Sequence, residues 1–273
     1  MEVLEPVKAT GQISIPSGQP VSGNLSGRSS HTALVTGAAG AIGQAIAHAL
    51  ATQGTRVVLH DLDLDSVRRV AQRLPGAYAS HLATSSDLLD LKNTRDQIGR
   101  ALQEVEGADI LINCAGIAAD RRPIEELTDE YVRLQLDINV CASIALAQLV
   151  IAHMKRSRWG RIINISSTNG TVGFANASAY NAAKGALISL AKGWAKEFGV
   201  YGITANVVAP GLIETPMTLS YGPDVLRAKA KSAVLERAGT PAEVAAVVAF
   251  LASEAAGYVT GQVISPNGGS AIT

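Results

Sequence analysis

Seven short apolar runs, none of them alternating with polar residues, constrain this chain more than any other feature: residues 33–35, 56–59, 79–82, 109–112, 161–165, 203–208 and 262–264. A strand with one solvated face alternates apolar and polar side chains, whereas an unbroken apolar run is buried on both faces. Segments with helical periodicity separate the runs, so the strands should lie parallel in one sheet between helices. The expected fold class is therefore α/β: a doubly wound, seven-stranded parallel sheet with helices on both faces. At 273 residues such a sheet fills a single domain.

Residues 1–30 stand apart, because 13 of them are Gly, Pro or Ser and none is aromatic. That composition cannot by itself bury enough surface to offset its ordering entropy. The expected organisation is an N-terminal extension over 1–30, flexible or packed as an arm, followed by one domain over 31–273. Val3, Leu4, Val7, Ile13, Ile15, Val21 and Leu25 exceed what a solvated linker needs and favour the arm. Helix signals agree with the alternation. Thr128-Asp129-Glu130 opens a long helix that runs to Lys155 and Arg156, with acid at its start and base at its end. Thr240-Pro241-Ala242-Glu243 combines an N-cap, a first-turn Pro and a capping-box Glu.

Composition narrows the function. The 23 basic and 23 acidic residues cancel, leaving no net field for a nucleic acid or an anionic membrane. Cys114 and Cys141 cannot build a disulfide framework, and the five histidines show no metal-ligand spacing. Residues 32–55 carry no charge, but Gly37, Gly40, Gly43 and Gly54 interrupt them, so strand, turn and helix fit better than a membrane span. Glu2 and Glu5 stand where a secretory signal would be basic. The expectation is a cytoplasmic protein with no metal, membrane or nucleic-acid partner.

Between the first run and the first helix lies Thr36-Gly37-Ala38-Ala39-Gly40-Ala41-Ile42-Gly43. Small residues there let backbone N–H groups approach a pyrophosphate at a helix N-terminus. A tight connection packed under the helix would read the same way. Asp61 ends the second run 24 residues after Gly37, where a carboxylate can accept both ribose hydroxyls. A 2′-phosphate would meet that carboxylate as like charge, and the neighbouring Leu62 supplies no cation, so NAD is expected over NADP. Asp63 beside it reads as a helix cap.

These residues, taken in order with Asn113-Cys-Ala-Gly116, Asn139, Ser167, Tyr180-Asn-Ala-Ala-Lys184 and Pro210-Gly211, resemble the signature of the short-chain dehydrogenase/reductase family from about residue 32 onward. The resemblance implies a Rossmann fold, a nicotinamide cofactor and a metal-free hydride transfer between a secondary alcohol and its ketone. It implies catalytic roles for Asn139, Ser167, Tyr180 and Lys184. It extends the cofactor site from Gly37, Gly40, Ala41, Ile42, Gly43, Asp61 and Leu62 to Asp87 and Leu88 at the adenine. Asn113, Ala115 and Gly116 would line the ribose side, and Pro210, Gly211, Ile213 and Thr215 the nicotinamide, with Tyr180 and Lys184 shared. It also implies a homotetramer through two long helices, to which Ala142, Ile144, Ala145, Leu149, Ala152, Ala186, Leu187, Leu190 and Ala191 would contribute surface. Ala41, Cys114 and Asn267 depart from the usual pattern without touching the inferred proton chemistry.

Elementary electrostatics supports the pair independently. Spacing of four puts Tyr180 and Lys184 on one helix face. Bringing a phenol from about 10 to about 7.5 takes roughly 3.4 kcal/mol, and an ammonium about 4–5 Å away offers about 4 kcal/mol at an effective dielectric near 20. Ser167, 13 residues before Tyr180, closes a strand at the end where open sheets bind ligands. Arg121 and Arg122 read as solvated charges, with an anionic substrate as the alternative, and His60 and His153 as surface residues of a strand and a helix. An NADPH-dependent 3-oxoacyl-[acyl-carrier-protein] reductase is the neighbouring enzymatic reading, and a non-catalytic NAD-sensing or scaffold protein the non-enzymatic one. Substrate selection is expected from residues 169–177, a pocket wall, and 212–223, a lid.

Overall fold

The computed structural model describes residues 31–76, 81–219 and 222–272, and the extension expected over 1–30 lies outside them. Seven parallel strands form one sheet in the order β3-β2-β1-β4-β5-β6-β7. They are β1 (Thr32–Thr36), β2 (Arg56–Asp61), β3 (Leu82–Ser85), β4 (Ile110–Asn113), β5 (Gly160–Ile165), β6 (Ile203–Val208) and β7 (Val263–Ile264). Every residue of β1, β4, β5 and β6 is buried, as their unbroken apolar sequences require. The order reverses between β1 and β4, which opens a crevice at the carboxyl ends of the strands.

Helices cover both faces. On one, α1 (Ala41–Thr52), α2 (Leu64–Ala71) and α10 (Pro241–Ala252) bury Ile46, Leu50, Val67, Val244 and Val248 against Val35, Leu59 and Ile163. On the other, α3 (Leu91–Glu104), α5 (Ala142–Ser157) and α7 (Ser178–Phe198) bury Ile98, Leu146, Val150, Met154 and Trp194 against Leu34, Leu111 and Ile162. Each such aliphatic side chain contributes about 1.5–3 kcal/mol of burial. The caps hold as well. Thr128 accepts from Tyr131 N at the start of α4 (Asp129–Leu136), Asp63 accepts from the amides of Asp65 and Ser66, and Thr240 with Glu243 forms a complete capping box.

Three expectations need correction. The third strand begins where its apolar run ends, at Leu82, because pairing with β2 extends to Asp61↔Ser85. As an edge strand it needs no continuous apolar sequence, and residues 79 and 80 lie outside the described residues. The long helix from Thr128 is broken by a π-helical segment, Asp137–Cys141, between α4 and α5. His60 is not a surface residue: it is 1% exposed, with Nε2 3.2 Å from the Ser86 hydroxyl. His153 is half-buried, with Nε2 3.0 Å from an Asp109 carboxylate oxygen.

The last two sites fix the acid response of the fold. Burial pushes His60 down to about 4, against a weaker opposing pull from Asp61. The unfolded chain therefore binds a proton at this histidine between pH 6.5 and 4 that the folded chain refuses. Stability present above pH 6.5 is lost through that window, on the order of 3 kcal/mol. The Asp109 carboxyl is partly buried, yet its bonds from His31, Thr32 N and His153 hold it down to about 2. Its contribution is lost only at lower pH. Urea midpoints should fall between pH 6.5 and 4.5, and His60→Gln should flatten that slope. An unchanged slope in the variant would assign the acid sensitivity elsewhere.

Candidate active site

The site is built at the carboxyl ends of β1, β2, β4, β5 and β6. Gly37 adopts φ +64°, and a Cβ there would lie 2.8 Å from the Ala115 backbone. A Cβ on Gly43 would collide with the Gly37 carbonyl. The turn therefore tolerates no side chain at either position, and α1 starts directly behind it. Asp61, at the end of β2, accepts from Ala39 N at 2.9 Å and from Leu62 N at 2.7 Å. This fixes the carboxylate beside the turn. The Thr36 hydroxyl donates to Ile112 O at 3.3 Å and accepts from Cys114 N and Ala115 N.

These elements enclose a cleft of about 1100 Å³, large enough for a dinucleotide and a small substrate together. Its lining includes Gly37, Gly40, Ala41, Ile42, Gly43, Asp61, Ala115, Gly116, Ser167, Tyr180, Lys184, Pro210, Gly211, Ile213 and Thr215. Leu62, Asp87, Leu88, Asn113 and Asn139 do not line it. Leu62 points outward at 69% exposure. Asp87 uses its carboxylate to accept from Leu89 N. Asn113 is buried, with its amide donating to Asn164 Oδ1 at 2.9 Å.

Lys184 sits one turn after Tyr180 on α7 and is buried, with Nζ donating to Ile165 O at 3.0 Å. Its ammonium lies 5.7 Å from the centre of the Tyr180 ring. Burial pushes Lys184 down to about 8, whereas burial drives the neighbouring Cys114 thiol up to about 12 and leaves it un-ionised. Ser167 is the N-cap of the short helix α6 (Thr168–Val172), accepting from Asn169 N, while Ser166 turns inward and donates to Lys184 O at 2.7 Å.

Asn139 lies in the π-helical segment and donates to Gln135 O at 2.9 Å. Its Oδ1 is buried without a hydrogen-bond partner. A Cβ on Gly116 would lie 2.7 Å from that oxygen and 3.1 Å from Lys184 Nζ. Gly116 thus leaves an orphaned acceptor and the buried ammonium facing the same space.

Several contributing residues carried no motif. Gln135, in the turn before the π-helical segment, donates to Ala118 O at 2.9 Å and fixes the loop after β4. Asn164 links Asn113 to Leu187 O. A lone Asn inside the apolar run 161–165 was the available signal for the second of these. Arg121, Lys229 and Arg237 also line the cleft.

Comparison with known proteins follows the same outline. Residues 37–271 match a family model described as Enoyl-(Acyl carrier protein) reductase. The chain is 39% identical over 248 residues to Nodulation protein G of Rhizobium meliloti, covering 88% of this chain and 96% of that protein. It is 36% identical over 243 residues to 3-oxoacyl-[acyl-carrier-protein] reductase FabG of Thermotoga maritima, covering 88% and 97%. A solved structure titled short chain dehydrogenase/reductase family protein superposes with a TM-score of 0.78 at 32% identity, covering 88% and 96%. With the sheet order, the glycine turn and near-full-length similarity in agreement, the chain belongs to the short-chain dehydrogenase/reductase family, oxidoreductases that work with a nicotinamide cofactor.

Proposed function

We propose that this protein is an NAD-dependent oxidoreductase that interconverts a secondary alcohol, of polyol, sugar or hydroxyacyl type, and its ketone. One observation carries the reading: Ser167, Tyr180 and Lys184 line the same cleft as the glycine turn and Asp61. The residues fit a dinucleotide, since Gly37 and Gly43 leave no room for side chains in the turn at the head of α1, where a pyrophosphate is favoured. When bound, the nicotinamide supplies the hydride acceptor or donor.

The chain's own groups supply the rest. The Ser167 hydroxyl holds the substrate oxygen, and the Tyr180 phenol oxygen takes its proton during oxidation or returns it during reduction. The buried Lys184 ammonium favours the ionised phenol by Coulomb attraction. Asn139 acts on Lys184 from behind, its orphaned Oδ1 offering the ammonium side an acceptor for a proton path. Lys184 keeps its charge below about pH 8, so its help to Tyr180 weakens above that pH.

Asp61 selects the cofactor. Its carboxylate is held by two backbone amides, and among the described residues no cation forms an ion pair with it. A ribose diol satisfies it, whereas a 2′-phosphate would repel it. The relative named as a 3-oxoacyl-[acyl-carrier-protein] reductase supports a second reading, reduction of an acyl-linked ketone, and Asp61 weighs against its NADPH form. The set of Ser167, Tyr180 and Lys184 on one cleft weighs against a non-catalytic NAD sensor or scaffold.

A homotetramer is part of the same reading. Ala142, Ala145, Leu187 and Ala191 are spent on the subunit's own core, leaving Ile144, Leu149, Ala152, Ala186 and Leu190 with surface to share. Light scattering at micromolar concentration should give four times the monomer mass, and a stable monomer would contradict it.

Tyr180→Phe should bind NAD with wild-type affinity yet lose at least about a hundredfold in turnover, the usual worth of a general base. Retention of more than a tenth of the activity would remove Tyr180 from the chemistry. Asp61→Ser combined with Leu62→Arg should lower kcat/KM with NAD and raise it with NADP. A wild-type protein that already prefers NADP in steady-state kinetics would sink the assignment.

A further inference from the structure

The side-chain amide hydrogens of Gln135 and Asn139 are all spent in one chain of hydrogen bonds. The two residues stand four apart on one helix face, in α4 and in the π-helical segment after it, at 0% and 1% exposure. Gln135 Nε2 donates to Ala118 O and to the Tyr131 hydroxyl, both at 2.9 Å. Asn139 Nδ2 donates to Gln135 O at 2.9 Å and to Gln135 Oε1 at 3.1 Å. Each amide nitrogen carries two hydrogens, so neither side chain has one left over.

A backbone carbonyl gives this chain its direction. Ala118 O can only accept, so Gln135 turns its nitrogen toward it and leaves Oε1 facing Asn139. Asn139 must answer with its nitrogen, because a turned amide would set its oxygen against two acceptors, Gln135 O and Oε1. Asn139 Oδ1 is thereby delivered to the opposite side. There it is buried without a partner and shares with Lys184 Nζ the space that Gly116 leaves. At the other end of the chain, Ala118 and Ala119 line the cleft, and the Tyr131 hydroxyl also accepts from Asp120 N at 2.6 Å. One buried glutamine thus joins the cleft loop after β4 to the residue behind Lys184.

Resting on the proton path proposed above, we propose that Gln135 is a positioning residue for the alcohol–ketone reaction: its Oε1 holds the Asn139 amide with Oδ1 toward Lys184, and its Nε2 keys that orientation to the loop 118–120. The proton that Tyr180 takes from the alcohol must reach solvent before the next turnover. An Asn139 amide turned the other way would aim hydrogens at an ammonium that needs an acceptor. Gln135 is not among the residues lining the cleft, so its effect belongs to turnover and not to binding.

The test measures kcat, KM and NAD affinity, with cyclohexanol, sorbitol and 3-hydroxybutyryl-coenzyme A as probe alcohols. Gln135→Met keeps the length of the side chain and withdraws both of its hydrogen-bonding ends. It should lower kcat at least about tenfold while KM and NAD affinity stay within about threefold of wild type, and Asn139→Ala should do the same. The double variant should be no slower than Asn139→Ala alone, because Gln135 acts through Asn139. Losses that multiply, or a loss confined to KM, would make Gln135 a support of the loop and overturn the proposal. Gln135→Glu should restore kcat to within about threefold of wild type, since a buried carboxyl stays neutral and can both donate to Ala118 O and accept from Asn139. A carboxyl variant as slow as Gln135→Met would refute the role. Tyr131→Phe loosens the loop at Asp120 and leaves the bond between Gln135 and Asn139 in place, so a fall equal to that of Gln135→Met would also refute it. Wild-type kcat in Asn139→Ala would remove the proton path itself and the role of Gln135 with it, whereas a slow Asn139→Ala beside an unimpaired Gln135→Met removes the role of Gln135 alone. If Gln135→Met does not fold, Gln135→Leu takes its place, and a chain that folds with neither makes Gln135 a folding residue and overturns the proposal. If no probe is oxidised, the titration of Lys184 in [13C]lysine-labelled, NAD-saturated protein decides. Its midpoint should fall by at least about half a pH unit in Gln135→Met, as the freed amide turns its hydrogens to the ammonium, and an unchanged midpoint would refute the role.

Discussion

The end of β1 is the constraint on which the rest of this site depends. The Thr36 hydroxyl bonds Ile112 O and the amides of Cys114 and Ala115, so β1 is tied to the exit of β4. Two residues on, Ala38 N bonds His60 O and Ala39 N bonds the Asp61 carboxylate, tying the same turn to the exit of β2. Three strand ends are thereby held in register by side chains no larger than threonine and aspartate. Gly37 lies against the Ala115 backbone because no Cβ separates them. The crevice has its shape only as long as those contacts persist.

On the other wall the controlling fact is a buried charge. Removing an ammonium from water costs several kcal/mol unless polar groups replace the solvent. For Lys184 the replacement is a strand carbonyl, Ile165 O. Asn139, whose unpartnered Oδ1 faces the same space, lies where the helix loosens to π geometry at Asp137–Cys141, a distortion that recurs at functional sites. Incomplete compensation leaves Lys184 with a value near 8, low enough for its charge to respond to its surroundings within the physiological range. The same burial has the opposite consequence for Cys114, whose thiol is kept neutral.

Charge is unevenly spread along the cleft lining. Asp61 stands at the β2 exit, whereas Arg121 stands on the loop after β4 and Lys229 on the helix Pro223–Lys231 beyond β6. Arg237 does not add to this because Glu243, itself part of the α10 cap, already occupies its guanidinium.

Sequence alone determined the layer order of the fold and most of the cleft. Unbroken apolar runs such as 203–208 can be satisfied only in a sheet covered on both faces, and Gly37 and Gly43 are demanded by the turn itself. Tyr180 and Lys184 were legible because helical spacing is a local property. Leu62, Asp87, Leu88 and Asn113 are placed by their position in a motif, and how each meets a cofactor depends on side-chain directions that motif order does not specify. Packing decided that Asn113 turns to Asn164 and that His60, in a strand that reads as ending at the surface, is sealed beneath Ser86. Tertiary structure alone separated Arg121 from Arg122, since adjacent residues in a loop diverge according to what lies across from them. Asp120 pairs with Arg122 while Arg121 lines the cleft, because what a loop side chain meets depends on which elements the sheet has brought beside it.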